Sequence, residues 1–157
     1  MSRGAAIPDP TGCDDRECTP RTADQSLVTS AATASYERAR EAERLLREVL
    51  PLRLRDSPNS TRIGDLNSRL GGALVSIAVT DPALDVEGRQ AKLSEAESLL
   101  LEGHERLQKA PAEEKYKRDA LQRIVRLYEA WNKPDKRSEW EQKVELFDKA
   151  QTKAETK

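Results

Sequence analysis

The chain has 157 residues, of which 36% are hydrophobic, 35% charged and only 4% aromatic. A globular domain averages about a quarter charged, so there is little core per residue, which suits helices that each bury one stripe and argues against a deep catalytic fold. Lys and Arg number 27 against 28 Asp and Glu, and the net charge of -1 excludes a global bias toward nucleic acid or an anionic membrane.

Residues 1–35 carry Pro8, Pro10, Gly12 and Pro20 among many Ser, Thr and Asp, with no apolar period. This segment is expected to be disordered, with a weak helix over 27–35, where Ala, Ser and Thr dominate. Its first residues lack the apolar core of a signal peptide, and no stretch of the chain approaches the roughly 20 apolar residues of a membrane span. The expectation is a cytoplasmic protein that does not meet a membrane. The same reasoning discounts Asn59-Ser60-Thr61 as a glycosylation site. Cys13 and Cys18 stand without nearby His or further Cys, short of a structural zinc set, and read as two thiols of a tail.

From Tyr36 the pattern changes. Ala39, Ala42, Leu45/Leu46, Val49 and Leu50 step by three and four, the period of one helix face. Pro51 is expected to bend or end this helix. The run 56–60 reads as a loop, with Asn59 or Ser60 as a cap. A second helix carries Ile63, Leu66, Leu70, Ala73/Leu74 and Ile77, interrupted by Gly71-Gly72. Each glycine costs about 1 kcal/mol relative to alanine in a helix, tolerable where another helix must approach closely. A third helix spans about Gln90 to Lys109 and a fourth starts near Ala112. A fifth follows Pro134, with Trp140, Val144 and Phe147 inward, and residues 151–157 are expected to fray.

A phrase recurs. Ala42-Glu43-Arg44-Leu45-Leu46-Arg47-Glu48 returns as Ala96-Glu97-Ser98-Leu99-Leu100-Leu101-Glu102, and each copy is followed 28 residues on by an apolar step, Leu70-Gly71 and then Ile124-Val125. Self-similarity at this scale is the signature of stacked helical units, none of which buries its apolar face alone.

Over Tyr36 to Phe147 the pattern resembles tetratricopeptide repeats, especially the longer kinesin-light-chain-like variety. The resemblance rests on Leu70, Gly71 and Leu74 in one helix with Ala96, Leu100 and Gly103 in its partner, on Leu121, Ile124, Val125 and Tyr128, and on Ala42, Leu46 and Val49. Asn132 falls where that family places a turn glycine. Three departures stand out. Arg137, Val125 and Val144 replace smaller residues, as in a capping unit. The opening unit has no convincing first helix. A 13-residue insertion, roughly 80–92, separates Leu70 from Ala96, with Asp81-Pro82 and Glu87-Gly88 as turn signals. The resemblance implies an all-α solenoid of antiparallel helix pairs over 36–150, about two full units plus a preceding half.

The run from Ala96 to Gln108, and again from Arg118 to Val144, is similar to the carboxy-terminal repeats of bacterial serine/threonine protein kinases. The chain carries no kinase glycine-rich loop, His-Arg-Asp or Asp-Phe-Gly, so this likeness implies a detached regulatory tail, a truncated product or a stand-alone relative.

No catalytic constellation accompanies the repeat. His104, between Glu102 and Glu105, has no Ser or Cys nucleophile placed near it and reads as a surface residue. The many helical carboxylates alternate with Arg and Lys and read as solvated faces. Trp131 and Trp140 read as core of the last helix pair. The expectation is therefore a protein that is not an enzyme, uses no cofactor or metal, and holds a protein or peptide partner. In the resembled fold the first helix of each pair lines a concave groove. The positions expected there are Asp65, Ser68 and Arg69, then Arg118, Gln122 and Arg126, with Gln122 and Arg126 one turn apart. Exposed repeat ends also allow a homo-oligomer.

Overall fold

The first helix begins earlier and ends later than its apolar spacing predicts. The computed structural model describes the backbone of residues 23–109 and 111–155 and the side chains of 31, 33–109 and 111–153. Within it α1 runs unbroken over Ala23–Asp56. Residues 23–35, expected to be at most weakly helical, thus continue into residues 36–56 as one helix. Pro51 lies inside α1 rather than ending it. Proline has no N–H for the carbonyl of Arg47, but both residues are exposed, so water can take that acceptor. The disorder expected of the earliest residues, and the two cysteines, lie outside the described residues.

α2 (Thr61–Thr80) is capped by Ser60, whose hydroxyl accepts from the backbone N–H of Arg62. It is the most thoroughly buried helix, with Ile63, Leu70, Leu74 and Ile77 at 0–2% exposure. Its apolar face turns toward α3, and its backbone lies against α1, α3 and α4. The helix ends at Asp81, a buried residue with several partners. Its N–H donates to the Ile77 carbonyl, one carboxylate oxygen accepts from the Ala83 N–H, and the other accepts from the Tyr36 hydroxyl of α1 at 3.0 Å.

α3 (Val86–Lys109) starts before Gln90. Glu87-Gly88 is therefore not a turn but the first turn of the helix, with Asp85 accepting from the Gly88 N–H at 2.7 Å. This relocates the insertion. Compared with the α4–α5 pair, α2 runs four residues further past Leu70, the loop is two longer, and α3 begins seven further ahead of Ala96. Most of the extra chain is helix, because it continues the apolar periods of α2 and α3.

α2 and α3 run antiparallel and touch at glycines. A Cβ on Gly71 would stand 2.6 Å from Leu100 Cγ, and one on Gly103 would stand 2.7 Å from the Gly64 carbonyl oxygen. The close approach expected at Gly71-Gly72 is thus to α3 at the first glycine. The second faces Arg123 of α4 instead.

α4 (Glu114–Ala130) and α5 (Pro134–Glu155) form a second antiparallel pair. Between them Asn132 has φ 54°, and its N–H donates to Glu129 while that of Lys133 donates to Tyr128. This is the 5→2 and 6→1 bonding of a helix end closed by a left-handed residue. α5 remains helical to Glu155, beyond the expected fraying point, and Gln151 donates to Glu114 across the pair at 2.8 Å. The main core joins Leu93, Ala96 and Leu100 of α3 to Ile124, Leu127 and Tyr128 of α4, and Trp140 closes it from α5. Among the described residues α1 contributes little to it and packs by its backbone on α2 alone.

Candidate functional site

The repeated phrase places two glutamates at matching points, and both are used to join helices. Glu43 of α1 accepts from Lys92 Nζ of α3 at 2.8 Å and from Arg47, which also reaches Glu95. Glu97 of α3 accepts from Lys136 Nζ of α5 at 3.0 Å and from the Tyr128 hydroxyl at 2.8 Å. Burial pushes both carboxyls up, but the donated hydrogen bonds outweigh it and hold them below the usual range. Burial and the bond to Glu97 together raise the Tyr128 hydroxyl. These groups are structural ties, already satisfied.

His104 is not a plain surface residue. Its ring meets Trp140 edge-on at 5.3 Å between centroids, and its Nδ1 is buried with no hydrogen-bond partner. Burial, then the nearby Lys143, lowers its pKa. Trp140 is core, and Trp131 packs partly buried against it with Lys133 Nζ 3.3 Å over its ring.

The six groove positions fare differently. Asp65 and Arg69, one turn apart on α2, bond to each other at 2.7 Å, and one carboxylate oxygen of Asp65 is buried without a partner. Ser68 is fully buried: its backbone lies against Gly103 of α3, and its hydroxyl accepts from Arg123 of α4 at 3.0 Å. It therefore does not face a partner directly. Arg118 donates from two guanidinium nitrogens to Asp148 of α5, at 2.8 and 2.9 Å, which commits it to the α4–α5 pair. Gln122 lines a shallow depression with Arg126, Val125 and Val144. Arg126 is exposed and, among the described residues, has no ion-pair partner.

These positions do not form one site. Arg69 and Arg126 come together in a cleft of about 620 Å³ bounded by α1, α2 and α4. Two further arginines of this cleft lie outside the expected set. Arg123 packs over Gly72, so that only 22% of its side chain is exposed. Arg38 enters from α1. The missing side chain at Gly72 is the one signal of this in the sequence, since a helical glycine leaves room for a long neighbour. Burial lowers the pKa of Arg123, and the adjacent Arg69 and Arg126 add to that, while Asp119 and Asp65 counter it. The nearest carboxylate to it, that of Asp119, is 4.0 Å away. Past Ser35 and Arg38 the α1 wall is apolar, formed by Ala39, Ala42, Leu45 and Leu46. A second cleft continues past Leu46 and Arg69 toward Val49, Arg62 and Tyr116.

The cleft offers charged donors beside apolar side chains, and among the described residues lining it no nucleophile is paired with a base. Among the described residues no group of His, Cys, Asp and Glu is placed to hold a metal ion, and no helix is long and apolar enough to cross a membrane. No known protein family matches the chain, nor does any curated protein or solved structure.

Proposed function

We propose that the chain is a non-catalytic protein-interaction module, a short solenoid of tetratricopeptide-like helix pairs that holds a protein or peptide partner along α2 and α4. The observation that carries this reading is the cleft in which cations of α2 and α4 face an apolar wall of α1. The packing order supports it. Successive helices lie against one another, and α2 also lies against α4, as the first helices of stacked pairs do. Glu43 and Glu97, equivalent in the repeated phrase, each reach the helix after next.

The test is partner capture by the tagged chain from a cell extract. Arg118 is unsuitable for charge reversal because it holds α5. Arg126→Glu and Gln122→Ala alter the α4 surface alone, and Ser98→Ala on α3 serves as control. The expected outcome is loss of captured proteins with Arg126→Glu and retention with the control. Equal capture by all variants would remove the groove reading.

A further inference from the structure

The geometry points to an amphipathic helix with an acidic face as the occupant of the cleft between α1, α2 and α4. This rests on the reading of the chain as an interaction module, and names the partner's chemistry.

Among the described residues, four arginines line this cleft, Arg38, Arg69, Arg123 and Arg126, and no carboxylate does. In a chain whose charges balance to -1, that is a local excess. Asp65 and Asp119 stand beside it but meet only part of it. Asp65 is engaged by Arg69, and Asp119 reaches Arg123 only at 4.0 Å. Arg123 is largely desolvated, next to two like charges, and bonded to a neutral hydroxyl. A carboxylate entering the cleft would relieve that repulsion and gain hydrogen bonds from charged donors.

The opposite wall specifies shape. Ala39, Ala42, Leu45, Leu46 and Val49 run along α1 for about 15 Å of helix rise. Leu45 and Val49 remain 45% and 39% exposed. Their spacing of three and four is met by apolar residues recurring with the same period on a second helix. Gly72 seats the Arg123 side chain, and beside it the small Ala73 side chain lines the floor of the cleft. Among the described residues the backbone of α3 has a helix on each side, α2 and α4, whereas that of α1 packs on α2 alone. The occupant fills that place with its apolar stripe on α1 and its carboxylates toward the arginines.

The probes are three fluorescein-labelled amphipathic helices sharing one leucine stripe and carrying Glu, Gln or Lys elsewhere. Each is titrated with the full chain and followed by anisotropy at about 50 mM and about 500 mM salt. The Glu helix is expected to bind at least about tenfold tighter than the Lys helix, and to weaken with salt. Arg126→Glu and Leu45→Asp, both at exposed positions, should each weaken it about tenfold while circular dichroism and the thermal midpoint stay unchanged. Equal binding of Glu, Gln and Lys helices overturns the acidic partner but leaves an interaction module standing. Undiminished binding of a Glu peptide with a central proline overturns the helical form. A dimer of the chain that Arg126→Glu dissociates assigns the cleft to a second copy and overturns the proposal. If none of the three helices binds, the proposal fails. If Arg126→Glu also leaves partner capture unchanged, the broader reading fails with it.

Discussion

Asn132 illustrates how much one residue can decide. Its φ of 54° lies in the left-handed region, and the bonds from its own N–H and that of Lys133 close α4 before α5 begins. Asparagine tolerates this conformation; a β-branched residue does not. Asn132→Val is expected to lower stability by about 1–2 kcal/mol, whereas Asn132→Gly should be close to neutral, both read from urea unfolding midpoints. The role is legible because a polar residue able to turn left sits where the helix period stops. Arg123 is not legible in this way. Its neighbour Gln122 lies at the expected groove register, and spacing tells which face a residue occupies but not how deeply the adjacent helix covers it. Ser68 departs from expectation for the same reason: its backbone lies against Gly103 of α3 and its hydroxyl is taken by Arg123 of α4.

At the scale of elements, the apolar periods locate the five helices of the described residues but misplace several ends. Helix length depends on continued packing, and α2 and α3 extend each other through the segment that reads as an insertion. Glycines mark where two elements require contact. Gly71 lies under Leu100, so a methyl there must move the buried α3 side chain. Gly71→Ala is expected to destabilise by about 1–3 kcal/mol through overpacking, despite alanine's better helix propensity. Pro51→Ala, on an exposed part of α1, should instead stabilise by up to about 3 kcal/mol. Thermal or urea unfolding of the two variants separates the effects by sign. A stabilised Gly71→Ala would mean that α2 and α3 do not approach as closely as described.

Over the whole molecule, side-chain ties supplement a thin core. Tyr36 to Asp81, and Lys92 to Glu43, fasten α1; Lys136 and Tyr128 to Glu97 join α3, α4 and α5. His104 adds an apolar joint between α3 and α5 through Trp140. Burial and then Lys143 depress its pKa below the ordinary 6.5, so the unfolded chain takes the proton first. Its contribution to stability is complete above that value and is lost as pH falls through the lowered one. Glu43 and Glu97, whose pKa values lie below the ordinary 4.5, lose theirs only at more acid pH. His104→Leu should therefore flatten the fall in urea midpoint between about pH 7 and about pH 5, and a slope unchanged from wild type would sink this assignment.

The sequence by itself determined the helical class, the approximate place of each helix, the close approach at Gly71 and the turn at Asn132. Those features arise from short-range periodicity and from backbone requirements of single residues. Only the tertiary structure decided which polar residues remain available. It sent Arg118 to Asp148, buried Ser68, and gathered Arg38, Arg69, Arg123 and Arg126 from three helices into one cleft. That grouping depends on how far neighbouring helices cover one another, which residue spacing along a single helix does not encode.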